Sequence, residues 1–145
     1  MAQSIETELL RLAGSGLNAI FSSLHHKLQG TRGAAVGLAF AEAKSGCVSY
    51  IGVGNTRVAI VGKTPWNGSS IDGVLGERLP TLEAQRAVMQ RGDSLLMWTD
   101  GIPEAPGRVF AQRNSYRGPM QLARRMIFDL GRVYDDAGCV VLQWR

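Results

Sequence analysis

GDSLLMWTDGIPEA, residues 92–105, is the stretch on which the reading of this chain turns. Arg91-Gly92-Asp93 reads as a turn, and the apolar run Ser94–Trp98 that follows is long enough for one buried strand. The run stops abruptly at Thr99-Asp100-Gly101. A strand that ends in an acid, with Gly next so that the chain can turn at once, presents a carboxylate to a metal or a substrate. A second acidic pair, Asp135-Asp136, stands before the last apolar run, residues 137–144. Two acidic strand ends predict an acidic metal site at the rim of a β-rich core. Asp-Gly after a strand is also a common turn signal, so spacing by itself leaves a solvated loop open.

The chain has 145 residues, 45% of them hydrophobic, enough for one domain with its own core. No run approaches the ~20 apolar residues that span a bilayer, and Glu6 and Glu8 stand where a signal peptide would be basic. A cytoplasmic location follows as the expectation. Cys47 and Cys139 are the two cysteines, too few for a zinc site or a disulfide framework, and both are expected as small buried side chains. The net charge of +4 raises nucleic acid as a partner, but the arginines are scattered and only Arg124-Arg125 adjoin, which argues against it.

Along the chain, residues 4–13 read as a helix capped by Ser4 and broken by Gly14-Ser15-Gly16. Leu17, Ile20, Phe21, Leu24 and Leu28 follow helical spacing, with His25 and His26 at partly exposed positions beside the stripe. Residues 34–41 read as a buried strand, Lys44-Ser45-Gly46 as a turn and Cys47–Val53 as the next strand. Gly54-Asn55 suggests a hairpin returning through Arg57–Val61. Residues 63–76 read as a loop that could cover a site, residues 81–90 as containing a short extended stretch, and residues 103–115 as irregular. Met120, Leu122, Ala123, Met126, Ile127 and Leu130 mark a last helix, stopped by Gly131. Tight turns between strands favour antiparallel pairing, and helices grouped toward the ends of the chain favour α+β layers over βαβ units.

Four segments in this order carry a resemblance. They are Thr31-Arg32-Gly33-Ala34-Ala35, Gly52-Val53-Gly54-Asn55, the 92–105 stretch with its Thr99-Asp100-Gly101 and Glu104-Ala105, and Asp135-Asp136-Ala137. Together they resemble the bacterial metal-dependent serine/threonine phosphatases of the 2C type. The branch is that of stage II sporulation protein E and the stressosome feedback phosphatases, and the likeness spans residues 31–145. The resemblance implies two stacked antiparallel sheets flanked by helices, an αββα sandwich, with two Mn²⁺ or Mg²⁺ ions in a cleft. It implies that Asp100 and Asp135 hold metal, with Gly101 and Asp136 as their neighbours in the site. The ions would activate a water, so no side-chain nucleophile is required. An arginine near the site would clamp the phosphoryl oxygens by a bidentate contact; the sequence leaves open which one, with Arg32, in the first segment, as the candidate. The implied substrate is a phosphorylated signalling protein, either a stressosome scaffold or an anti-sigma-factor antagonist.

The sequence departs from the family at one place. A Gly-Asp-Gly-x-Gly-His-Gly-like segment, which supplies a further acid before the helix matching residues 4–13, has no counterpart. The chain therefore reads as N-terminally incomplete relative to the family, with weak metal binding and self-association through exposed sheet edges as expectations. A non-catalytic pseudo-phosphatase that binds a phosphoprotein or another partner is the alternative.

Overall fold

The computed structural model describes residues 16–145; the helix expected over residues 4–13 lies outside them. In order, the elements are α1 (Leu17–Leu28), β1 (Val36–Ala41), β2 (Cys47–Val53), β3 (Arg57–Val61), β4 (Trp66–Gly68), β5 (Gln85–Val88), β6 (Ser94–Trp98), α2 (Glu104–Arg113), α3 (Pro119–Leu130) and β7 (Cys139–Gln143). Every strand pair is antiparallel. The strands form a three-stranded sheet, β1-β2-β5, and a four-stranded sheet, β4-β3-β6-β7. The α+β sandwich expected from the sequence is the architecture observed.

Three apolar layers hold it together. Phe21, Leu24 and Leu28 of α1 pack on Ile51, Val53 and Leu75. Val48 and Tyr50 of β2 meet Val58, Ile60 and Leu95 between the sheets. Ala59, Val61, Leu96 and Trp98 meet Ile102, Ala111, Leu122 and Met126 beneath α2 and α3. β6 is apolar on both faces because it is covered on both, by the first sheet and by the helices. Each fully buried Val, Leu, Ile, Phe or Met side chain in these layers contributes about 1.5–3 kcal/mol.

The structure corrects several local expectations. Gly54-Asn55 is not a hairpin turn: β2 pairs with β1 and β5, whereas β3 pairs with β4 and β6. A two-residue type I′ hairpin needs positive φ at both central residues, and only Gly54 has it, at +89°. The chain instead crosses between sheets, and β2 and β3 pack face to face. Tyr50 Oη bonds Thr56 Oγ1 and Ser70 Oγ, both at 2.9 Å, which ties the crossing down. Residues 63–76 are partly strand, through β4, and Leu75 is fully buried while its backbone bridges Ala34.

Residues 104–113 form α2, not an irregular segment. Its buried side is Gly107 and Ala111, residues too small to register as a hydrophobic stripe. Gly107 sits where a Cβ would come within 3.2 Å of the Trp98 indole. Pro106 is tolerated in the first turn, where no backbone N–H is needed. His25 is buried, with Nδ1 accepting the Gly76 N–H at 3.1 Å, and His26 is exposed. Met120 of α3 is exposed, and so is Cys47. Cys139 is half-buried, and burial pushes its thiol pKa up to about 11. At the sheet edge formed by β7, Val140 and Leu142 are exposed.

Asp93 pins the turn into β6. Its carboxylate accepts the N–H groups of Lys63 at 2.7 Å and Gln90 at 2.8 Å, together with the Thr64 hydroxyl. Its own carbonyl accepts the Trp144 N–H at 3.0 Å. Burial works to raise the Asp93 pKa, but the bonds from Thr64, Gln90 and Lys63 outweigh it and hold the group below the ordinary 3.8. The unfolded chain therefore binds the proton more readily than the native one. The stabilisation is complete above about pH 4 and is lost as pH falls through the native pKa. Asp93→Ala, which strands three donors, is expected to cost about 2–4 kcal/mol by urea unfolding. Asp93→Asn should also flatten the acid limb of the stability profile, and an unchanged limb would contradict this role.

Candidate functional site

The two acidic segments leave the same end of the four-stranded sheet. Trp98 of β6 is paired with Cys139 of β7. Beyond that pair the Thr99 N–H donates to Gly138 O at 3.0 Å, and the Gly138 N–H donates to Thr99 Oγ1 at 2.9 Å. Gly101 then lies directly against the second segment: a Cβ there would sit 2.2 Å from the Asp136 carbonyl oxygen and 2.9 Å from Ala137 Cα. The Arg132 N–H donates to Gly101 O at 2.8 Å, and the Asp135 N–H donates to Arg132 O at 3.3 Å. Asp100-Gly101 and Asp135-Asp136, separated in sequence, are thus neighbours in space. Glycine is required at position 101 by this close approach of backbones and not by its φ.

Asp100 is half-buried and accepts a hydrogen bond from the Asn55 side-chain amide. The register explains the meeting: Arg57 of β3 lies opposite Trp98 of β6, so the residues just before β3 reach those just after β6. Gly54, next to Asn55, is closed over by Ala35, whose Cβ would be 2.6 Å from a Cβ at position 54. The segment following α1 therefore approaches the same turn. Its Thr31 hydroxyl donates to Leu28 O at 2.7 Å and accepts the Gly33 N–H at 3.0 Å, and Arg32 is exposed.

Sequence reasoning assigned no role to Asn55, Arg57 or Glu104, although two of them lie in quoted segments. Arg57 Nε is 2.9 Å from Glu104 Oε2, and Arg108 Nη2 is 2.9 Å from Glu104 Oε1. Arg108 also donates to Val58 O at 3.0 Å, Gly68 O at 2.9 Å and Asn67 Oδ1 at 2.8 Å. The Arg108 bond, opposed by partial burial and aided by the Arg57 charge, holds the Glu104 carboxyl below its ordinary range. The signal that could have found these residues is the pairing of β3 with β6, which spacing along the chain does not express.

The donor set suits a hard cation. Asp100, Asp135 and Asp136 offer carboxylate oxygens at one sheet end, and none of them is in an ion pair among the described residues. The Gly101 carbonyl keeps a second lone pair beyond the one given to Arg132. Uncompensated oxygens of this kind fit Mg²⁺ or Mn²⁺, which bind through one or two carboxylates and keep several waters. Among the described residues, no group of three or more His, Cys, Asp or Glu side chains is gathered so as to hold a metal ion, and Asp100, Asp135 and Asp136 are brought together by their backbones and not as a closed ligand set.

No protein-family model and no curated protein matches the chain. Solved structures do. A chain from work on the bacterial stressosome, a modular system adapted to control secondary messenger signalling, is 29% identical with a TM-score of 0.82. The match covers 97% of this chain and 73% of that one. RsbX in complex with magnesium is 16% identical with a TM-score of 0.84, over 99% of this chain and 72% of its own. The manganese-presoaked phosphatase domain of SpoIIE from Bacillus subtilis is 19% identical with a TM-score of 0.60, over 98% and 70%. The chain resembles the bacterial 2C-type phosphatases of the sporulation protein E and stressosome branch, and it carries their fold.

Proposed function

We propose that this chain is a metal-dependent serine/threonine phosphatase domain of the 2C type, acting on a phosphorylated bacterial signalling protein. The observation that carries this reading is the seating of Asp100-Gly101 against Asp135-Asp136 across the β6–β7 pair. Similarity to RsbX with magnesium and to SpoIIE soaked with manganese supports Mg²⁺ or Mn²⁺ as the cofactor. Similarity to a stressosome protein and to the RsbU and RsbW domains of a Mycobacterium tuberculosis protein supports a scaffold or anti-sigma-factor antagonist as substrate. No described helix is long and apolar enough to cross a membrane. We place the reaction in the cytoplasm, where such signalling proteins reside.

Asp100 is the principal metal-holding residue in this reading, with Asp135, Asp136 and the Gly101 carbonyl beside it. When bound, the ions would lower the pKa of a water and draw charge from the phosphoryl oxygens. The chain's own part is to fix the donors. Asn55 orients the Asp100 carboxylate, and the Thr99–Gly138 bonds set the separation of the two acidic segments. The non-catalytic alternative uses the same cleft to hold a phosphoprotein without turnover.

Hydrolysis of p-nitrophenyl phosphate and of a phosphorylated antagonist protein, with Mn²⁺ or with EDTA, tests the assignment. Asp100→Asn is expected to lower kcat/KM at least about 100-fold. Activity that survives chelation, or is undiminished in that variant, overturns the phosphatase reading. Retention of the phosphoprotein under EDTA with no turnover favours the binding module. Gly101→Ala forces a methyl group into the Asp136 backbone and should cost about 1–3 kcal/mol in unfolding experiments while weakening Mn²⁺ binding in calorimetry. Unchanged metal affinity would show that the approach of the two segments does not matter.

A further inference from the structure

A cation faces the cleft beside Asp100 that the sequence reading left unused. Ala35, Gly54, Asn55, Arg57, Asp72 and Gly73 line a depression of about 420 Å³, and Asn55 joins it to Asp100. Arg57 is the cationic residue of this lining. Its Cα is fixed opposite Trp98 by the β3–β6 pairing, and its Nε side is held 2.9 Å from Glu104 at the start of α2. Nη1 donates to the carbonyl of the adjacent Thr56 at 3.3 Å, its one hydrogen bond among the described residues. An ion pair thus holds the guanidinium between β3 and the start of α2, while the buried Nε forms no hydrogen bond among the described residues. Arg32 has neither support among the described residues: it stands exposed in a turn.

Guanidinium is the side chain suited to paired phosphate oxygens, being planar, permanently charged and weakly hydrated. We propose that Arg57, not Arg32, is the phosphate-binding arginine of this cleft, with Glu104 as its positioning residue. The inference rests on the phosphatase reading and names the contact that would orient the phosphoryl group beside Asp100. Asp72 in the lining, and Asp100 bonded to Asn55 of that lining, repel a free anion, so phosphate should bind better with Mg²⁺ present than with EDTA.

The test is titration of the full 145-residue chain with inorganic phosphate, with Mg²⁺ and with EDTA, followed by NMR of the arginine side-chain N–H signals. The Arg57 signal is expected to shift saturably. Arg57→Gln should weaken phosphate at least about tenfold, Arg57→Lys should fall between, and Arg32→Gln should change affinity less than twofold. Glu104→Gln should weaken phosphate binding less than Arg57→Gln does. Thermal melts verify folding, and if Arg57→Gln does not fold, Arg57→Lys decides. Absence of phosphate binding by the native chain, native-like affinity in the deciding Arg57 variant, or an equal loss in Arg32→Gln overturns the proposal. Arg57-dependent phosphate binding without any hydrolysis upholds the contact and overturns the phosphatase reading. Metal-dependent hydrolysis undiminished in the deciding Arg57 variant does the reverse.

Discussion

Pairing of β6 with β7 is the constraint on which the rest depends. The two strands run antiparallel in unbroken register from Ser94–Gln143 to Trp98–Cys139. Antiparallel geometry puts the exit of one strand beside the entry of the other, so acidic residues just outside both must be neighbours. The hydrogen bonds of Thr99 and Gly138 extend the pairing by one step past the sheet. The bare α-carbon of Gly101 then lets the backbones close to a distance that no side chain would permit.

That pairing is itself held from both sides. On one face Leu96 and Trp98 lie under α2 and α3; on the other Leu95 lies against the first sheet. Close approach recurs at Gly107, where the helix backbone comes down on the Trp98 indole while Arg108 covers the same ring at 5.7 Å. Arg108 also donates to carbonyls of β3 and β4, so α2 is fastened to the sheet by charged hydrogen bonds as well as by apolar contact. The strand that carries Asp100 thus sits in a rigid frame, which is what a site needing fixed oxygen positions requires.

Charge is distributed unevenly around the cleft. Asp100, Asp135 and Asp136 stand without cationic partners among the described residues, while Glu104 has two, Arg57 and Arg108. Glu104 is about half exposed, so its ion pairs are screened and matter more for orientation than for stability. Asp93, in the turn that Arg91-Gly92-Asp93 marks in the sequence, is fully buried and fastens that turn.

Much of the design was legible in the sequence. The limits of α1, β2, β3 and β6 follow from apolar runs and turn residues, which are local properties. The acidic strand ends at Asp100 and Asp135-Asp136 were visible for the same reason. α2 was not visible, because its buried face is Gly107 and Ala111 and its hydrophobic partner, Trp98, belongs to another element. The role of Gly54-Asn55 was misread, because the signals for a hairpin and for a crossing between sheets differ only in which strands pair afterwards. Only the tertiary structure seats Asn55 on Asp100 and places Arg57 at the cleft. Both depend on the register between β3 and β6, a long-range pairing that no periodicity within either strand encodes.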